Sequence, residues 1–250
     1  MENKTNNKTI LITGASRGLG RAIAKKFSQN NYNVIINYNN SEKEALELQK
    51  ELEKNNVKTI IIKADITKEN EVKKMIDETI KTFKKIDVLV NNAGIAIDTT
   101  IEDKTVENFQ KIINTNLIGP FILSKYVGEY MMKEKNGKII NISSTNGIDT
   151  YYEYSLDYDA SKAALISLTH NLALHFAPYI NVNAVAPGWI NTEMNKNLDK
   201  EYIDQEKEKI LLKRFAQPEE IAEVVYFLST ENAKYINNET IRVDGGTIHA

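Results

Sequence analysis

The chain reads as an α/β protein, a single doubly wound parallel sheet with helices on both faces. Three observations predict this. Short β-branched apolar runs alternate with amphipathic helical stretches along the 250 residues, which is the pattern of parallel strands joined by crossover helices. A glycine-rich turn separates the first run from the first helical stretch. No linker, repeat or low-complexity segment interrupts the alternation, so residues 1–250 read as one domain.

The first strand, Thr9 to Thr13, runs into Gly14-Ala15-Ser16-Arg17-Gly18-Leu19-Gly20, after which Arg21 to Phe27 has helical periodicity. Glycine permits the tight turn and lets backbone approach a phosphate, whose charge the free N–H groups and dipole of a helix start attract. The spacing is G-x-x-x-G-x-G rather than G-x-G-x-x-G, so a plain βα turn stands beside a nucleotide cradle as an alternative. The strand before and the helix after favour the cradle. The second strand, Asn33 to Tyr38, leads through Asn39, Asn40 and Ser41 into a charged helix from Glu42 to about Lys54. In dinucleotide-binding sheets a carboxylate at this strand end holds the adenosine 2′-hydroxyl and would repel a 2′-phosphate. None is present here, and Arg17 and Ser41 are placed to meet a phosphate. NADP(H) is therefore favoured over NAD(H), with Tyr38 and Asn39 beside the adenosine.

The third strand, Thr59 to Ile62, ends at Ala64-Asp65-Ile66, where Asp65 either accepts from an adenine amine or caps the helix beginning near Lys68. The fourth, Asp87 to Val90, runs into Asn91-Asn92-Ala93-Gly94, small and amide residues that let backbone border a ligand. Phe109 to about Met132 reads as one long helix in which Pro120 deprives the Asn116 carbonyl of its partner. The fifth strand, Lys138 to Ile142, delivers Ser143 and Ser144 to its end. A loop from Thr145 to Asp157 then leads to a helix opening with Tyr158-Asp159-Ala160-Ser161-Lys162. Of the twelve tyrosines only Tyr158 has a lysine four residues on, which puts phenol and ammonium on one helix face. A cation there is expected to lower the phenol from its reference of about 10 and ready it for acid–base work, although a chance surface pair would share the spacing. The sixth strand, Ile180 to Val185, ends in Ala186-Pro187-Gly188, and the stretch from Trp189 to Arg214 is charged and amphipathic. Pro218 precedes a helix to about Ser229, and the last strand, Thr240 to Val243, ends at Asp244-Gly245-Gly246.

Composition excludes several functions. Lys plus Arg number 32 against 34 for Asp plus Glu, a net charge of -2, so no basic surplus points to nucleic acid or an anionic membrane. The absence of cysteine rules out disulfides, a thiol nucleophile and thiolate metal sites. His170, His175 and His249 form no ligand motif, so no metal is expected. The polar N-terminus, Met1 to Lys8, has no apolar signal core and no stretch is long enough to span a bilayer, so a soluble cytoplasmic protein is expected.

Together, Thr13-Gly14-x-x-x-Gly18-x-Gly20, Asn91-Asn92-Ala93-Gly94, Asn116, Ser144, Tyr158-x-x-x-Lys162, Pro187-Gly188 and Asp244-Gly245-Gly246 occur in the order of a known family. From Thr9 to Gly246 the chain resembles the short-chain dehydrogenases/reductases, which share a Rossmann-type fold. The likeness is strongest to the branch of 3-oxoacyl-acyl-carrier-protein reductases and glucose-type dehydrogenases. The resemblance implies NADP(H)-dependent interconversion of a carbonyl and a secondary alcohol. It assigns proton transfer to Tyr158, lowering of the Tyr158 pKa and hold of the nicotinamide ribose to Lys162, hydrogen bonding of the substrate oxygen to Ser144, and a proton-relaying water to Asn116. Ser144 is chosen over Ser143 because the family serine lies three residues before a glycine, here Gly147. The cofactor set implied is Gly14, Ser16, Arg17, Gly18, Leu19, Gly20, Tyr38, Asn39, Ser41, Asp65, Ile66, Asn92, Ala93, Gly94, Tyr158 and Lys162, with Pro187, Gly188, Ile190 and Thr192 toward the nicotinamide amide and phosphates. The substrate is expected against Ser144, Tyr151, Tyr154 and Trp189, beneath a lid at about 189–214 whose mobile part runs from about Asn191 to Leu212. A homotetramer built on the Asn116 and Tyr158 helices is expected from relatives.

The chain departs from the family between Ser144 and Tyr158, where the spacing is one residue longer. The loop carries Asp149, Tyr151, Tyr152, Glu153, Tyr154 and Asp157, and no lysine or arginine occurs from Ile139 to Ser161. An acidic, aromatic substrate mouth would disfavour an acidic carrier protein, and the family's two docking arginines correspond to Lys135 and Tyr179. A sugar or polyol dehydrogenase, with tyrosines stacking and carboxylates taking hydroxyls, therefore stands as one alternative to an acyl-thioester reductase. A non-catalytic NADP-binding regulatory protein is the alternative of another class.

Overall fold

The computed structural model describes residues 7–193 and 199–247. The polar residues 1–6, the stretch 194–198 within the expected lid, and His249 lie outside the described residues. Seven strands, β1 (Thr9–Ile12), β2 (Asn33–Tyr38), β3 (Thr59–Lys63), β4 (Val88–Asn91), β5 (Gly137–Ile142), β6 (Ile180–Pro187) and β7 (Thr240–Val243), pair in parallel in the order β3-β2-β1-β4-β5-β6-β7.

The strand runs are apolar throughout because both faces of the sheet are covered. Ile10, Ile12, Val34 and Ile36 share one core with Phe27 of α1 (Gly18–Gln29), Leu48 of α2 (Glu42–Leu52) and Val225 of α8 (Pro218–Leu228). Leu11, Ile35 and Leu89 point the other way, into a core with Met75 of α3 (Glu69–Phe83), Leu123 of α5 (Gly119–Glu134) and Phe176 of α6 (Leu156–Phe176). Each such side chain contributes about 1.5–3 kcal/mol by leaving water. Exposed ion pairs such as Lys213–Glu208 contribute at most about 1 kcal/mol each. The two apolar layers therefore hold the sheet.

Two expected elements differ. The long helix expected from Phe109 to Met132 is α4 (Val106–Ile113), a π-helical turn at Asn114–Ile118, and α5. Pro120 has no N–H to give the Asn116 carbonyl, and the chain widens just before it, with Gly119 N–H donating to the Asn114 carbonyl five residues back. The widened turn puts the Asn116 side chain inside, 1 % exposed. Asp65 does not cap the next helix. Its Oδ1 accepts from the backbone N–H and hydroxyl of Thr67, and α3 begins at Glu69 with Lys68 at the capping position.

The order of strands reverses at the boundary of β1 and β4, so the connections from these two strands leave in opposite directions and open a crevice at their carboxyl ends. That end of the sheet gathers Gly14, Tyr38, Asn92, Ser144 and Gly188, residues widely separated in the chain.

Candidate active site

The floor of the crevice is built by Thr13. Its hydroxyl accepts from the backbone N–H groups of Asn92 and Ala93, both at 3.0 Å, drawing the end of β4 onto the turn after β1. Asn92 returns the tie, its amide donating to the carbonyls of Thr13 (2.9 Å) and Gly14 (3.2 Å). Gly14 and Gly18 hold φ of +60° and +54°, a region costly for other residues, and so aim the turn into the first helix. At Gly20 the need is space: a Cβ would lie 2.5 Å from the Gly14 carbonyl and 2.6 Å from the Asn92 amide. Beside Gly18 the nearest atom to such a carbon is Thr192 Cγ2, 3.9 Å away, so the segment after β6 meets the glycine turn across an open gap.

The start of α1 presents its N–H groups without a side-chain cap, and Arg17 at the capping position is exposed, with no ion pair among the described residues. This open cradle fits a dinucleotide pyrophosphate. At the end of β2, Asn37 turns inward, where its Oδ1 accepts from Gly14 N–H (3.4 Å) and its amide donates to the Ala64 carbonyl (3.0 Å). Tyr38 is buried, and its phenol is pushed up by desolvation and by the Glu42 carboxylate. Glu42, the first residue of α2, thus brings a carboxylate to the end of β2, where its place in a charged helix gave no sign of it. Ile66 is buried against Gly119, where a Cβ would meet its Cδ1 at 2.6 Å, while Asp65 N–H is taken by the Glu71 carboxylate at 2.8 Å.

Deeper in the crevice, Tyr158, Lys162, Ser144 and Asn116 converge. Lys162 Nζ donates to the Ile142 carbonyl at 2.8 Å and lies 5.4 Å from the centroid of the Tyr158 ring. A carbon on Gly94 would sit 3.5 Å from that Nζ and 3.4 Å from Asn116 Oδ1, so Gly94 is the point where the β4 loop touches both. Asn116 grips Ile95 from both sides, accepting from its N–H and donating to its carbonyl, each at 2.9 Å. It also donates to Ser161 Oγ (3.1 Å), which donates to the Tyr158 carbonyl (2.6 Å). Ser161 is a bridging residue concealed in the middle of the Tyr-x-x-x-Lys spacing. The two adjacent serines separate: Ser143 Oγ donates to the Lys162 carbonyl at 2.9 Å, while Ser144 Oγ donates to Asn146 Oδ1 at 3.2 Å.

The expected effect of Lys162 on Tyr158 is corrected by this geometry. The ammonium lies over the ring face and is engaged by the Ile142 carbonyl; Lys162 is buried and Tyr158 half-buried, so loss of water is the leading influence on each. The Tyr158 phenol is pushed up to about 12 by desolvation, with the Ser144 hydrogen bond opposing and Asp159 and Asp98 adding. Desolvation pulls Lys162 down to about 8. Near neutral pH Tyr158 is a protonated phenol.

The substrate side departs from expectation. Tyr151 is 81 % exposed and stands outside the ring cluster. Tyr154 packs edge-on against Tyr152 (5.3 Å), Tyr152 against Tyr202 (6.5 Å), Tyr202 against Trp189 (6.1 Å), and Trp189 stacks on Phe215 (5.3 Å). Trp189 Nε1 also donates to Glu206, so α7 (Lys200–Glu208) rests on the indole. Tyr202 lies in a charged stretch and carried no sequence signal. The loop's acids are mostly engaged. Asp149 pairs with Arg242 at 2.6 Å, Asp157 with Lys104 at 3.0 Å, and Asp159 accepts from Asn146, Ser155 and Tyr152 N–H. Of the loop acids expected to take sugar hydroxyls, Asp149 and Asp157 are therefore occupied, while Glu153 is exposed. Lys135 and Tyr179 meet, the ammonium 5.6 Å from the ring centroid.

Neither described histidine joins a metal cluster, and none of three or more His, Asp or Glu exists among the described residues. His170 bonds Asn238, and His175 packs on Phe176. No helix among the described residues is long and apolar enough to cross a membrane.

Comparison with known proteins agrees with the geometry. Residues 14–248 match a family model described as enoyl-(acyl carrier protein) reductase. The chain is 41 % identical over 241 residues to the 3-oxoacyl-[acyl-carrier-protein] reductase FabG of Staphylococcus epidermidis, covering 96 % of this chain and 98 % of that one. It is 40 % identical to the 3-oxoacyl-[acyl-carrier-protein] reductase of a Synechocystis species, over 96 % of this chain and 97 % of the relative. Among solved structures, a 3-oxoacyl-[acyl-carrier protein] reductase from Brucella melitensis superposes with a TM-score of 0.91 at 30 % identity, covering 97 % of this chain and 92 % of that one. A dehydrogenase/reductase from Sinorhizobium meliloti gives 0.90 at 31 %, covering 96 % and 94 %.

Proposed function

The chain belongs to the short-chain dehydrogenase/reductase family and is an oxidoreductase acting between CH–OH and carbonyl; from this we propose that it reduces a 3-oxoacyl thioester with NADPH. The observation that carries the reading is the convergence of Tyr158, Ser144 and Asn116 with a buried Lys162, whose ammonium lies over the Tyr158 ring and borders Gly94. A dinucleotide supplies hydride to the carbonyl carbon. Tyr158 gives its proton to the oxygen as charge develops there, and Ser144 donates a second hydrogen bond to the same oxygen. Lys162, which borders Gly94, would hold the nicotinamide ribose, and Asn116 holds the β4 loop and α6 in register through Ile95 and Ser161. A phenol at about 12 keeps its proton at neutral pH, which suits reduction.

The open start of α1 supports a dinucleotide pyrophosphate at Ser16 to Gly20, and exposed Arg17 supports NADP(H) with the 2′-phosphate toward Arg17, Asn39 and Ser41, the Glu42 carboxylate beside Tyr38 opposing it. The acyl reading is preferred to the polyol reading because relatives at 40–41 % identity are 3-oxoacyl-[acyl-carrier-protein] reductases and because, of the loop acids, Asp149 and Asp157 already have partners. Single-domain organisation and a homotetramer accompany this reading, supported by exposed Val106, Phe121 and Leu174 on α4, α5 and α6.

The test is spectrophotometric, with NADPH and NADH in parallel, acetoacetyl thioester, simple ketones and sugars as substrates, and Tyr158→Phe as control. The expected result is NADPH oxidation with the thioester that falls at least 100-fold in the variant. Faster turnover of a sugar or polyol than of the thioester would refute the substrate assignment.

A further inference from the structure

Beside Tyr158 lies a buried ion pair that the acid–base chemistry above does not use. The Asp157 side chain is 0 % exposed and that of Lys104 4 %, with Nζ and Oδ2 3.0 Å apart. Charges so far from water persist only with well-placed partners, and here the hydrogen bonds fall on Asp157 Oδ1 while Oδ2 has only the ion-pair approach of Lys104. Asp157 Oδ1 accepts from Lys104 Nζ at 3.1 Å and from the Tyr158 backbone N–H at 3.0 Å, satisfying a first-turn donor of α6 with a negative charge at the positive end of the helix. Lys104 Nζ also donates to the Ile97 carbonyl. Ile97 is two residues from Ile95, which Asn116 grips, and three from Gly94, which borders Lys162. A second tie runs alongside, Thr99 N–H to the Tyr154 carbonyl at 3.0 Å.

Lys104 therefore joins two walls of the crevice that no secondary-structure element connects at this point. One wall is the loop after β4, on the dinucleotide side; the other is the first turn of α6, which carries the phenol. We propose that Lys104 is a positioning residue, which through Asp157 and Ile97 sets the placement of Tyr158 relative to the β4 loop and so the alignment of proton and hydride transfer. This rests on Tyr158 as the proton donor. Misplacement by about 1 Å can cost about 100-fold in rate, whereas dinucleotide contacts at the glycine turn would be untouched.

The test compares wild type, Lys104→Met, Asp157→Asn and the double variant, which removes both charges together and avoids burying one alone. Three readouts are taken: amide hydrogen exchange at 95–99 and 155–159, kcat on the best ketone with KM for NADPH, and the solvent isotope effect on kcat. Expected are at least tenfold faster exchange at the Tyr158 amide in Lys104→Met, a 10- to 100-fold fall in kcat that persists in the double variant, KM for NADPH within about twofold, and a raised isotope effect. Wild-type kcat and isotope effect in the folded double variant would overturn the proposal, since the charges would then matter only to each other. Unchanged exchange in both segments of Lys104→Met would overturn it without any turnover being needed. Full activity in Tyr158→Phe, measured alongside, would count against the proton-donor reading on which this one rests.

Discussion

Replacing Lys162 with methionine should abolish turnover and at the same time change stability in a way that depends on pH. In the folded chain this ammonium titrates at about 8 rather than the ordinary 10.5, because its surroundings exclude water. Keeping it charged at pH 7 therefore costs the fold about 3 kcal/mol, at about 1.4 kcal/mol per tenfold change in proton affinity. Methionine removes that cost but leaves the buried Ile142 carbonyl without its 2.8 Å donor, a loss of about 1–3 kcal/mol. At pH 7 the variant should match wild type or exceed it by up to about 2 kcal/mol. The pH trend is the sharper signal. Above pH 8 folded wild type releases the proton, while the unfolded chain holds it to about 10.5, so wild-type stability gains on the variant through that window. The gain should total about 3 kcal/mol and then stop, because both states are neutral beyond it. Urea unfolding of both proteins at pH 7, 8, 9 and 10.5 measures the gap, in which other titrating groups cancel. A gap independent of pH would refute the claim that burial governs this lysine.

Two further substitutions probe the cradle. Gly20→Ala puts a carbon 2.5 Å from the Gly14 carbonyl and 2.6 Å from the Asn92 amide, so it should destabilise by about 2–4 kcal/mol through overpacking and weakened Asn92 bonds. Gly18→Ala, with open space but φ of +54°, should lose only about 1–2 kcal/mol; equal losses in denaturant unfolding would contradict the packing account. Arg17→Ala should raise KM for NADPH at least tenfold and leave KM for NADH within about twofold, as initial rates with each cofactor would show.

The identity of most elements was legible in the sequence because the signals are local. Strand runs such as Ile10-Leu11-Ile12 and the glycines around Arg17 act within a few residues, and the Tyr158–Lys162 spacing follows from helical geometry. The break in the Asn116 helix was half legible: Pro120 announced a lost hydrogen bond, but whether the chain would bend or widen depended on what the turn packs against. Only the tertiary structure decided the electrostatics. Helical spacing brought Lys162 to Tyr158, yet desolvation is the leading influence on both proton affinities, and desolvation has no local sequence pattern. The same holds for the mouth of the site. Tyr152, Trp189, Tyr202 and Phe215 form one aromatic run, and Lys104 finds Asp157 fifty-three residues on, because the crossovers of a parallel sheet deliver distant loops to one edge. Sequence by itself determined the elements and the chemistry they carry; chain topology decided which side chains meet and how far each lies from water, and those distances shift the proton affinity of each group.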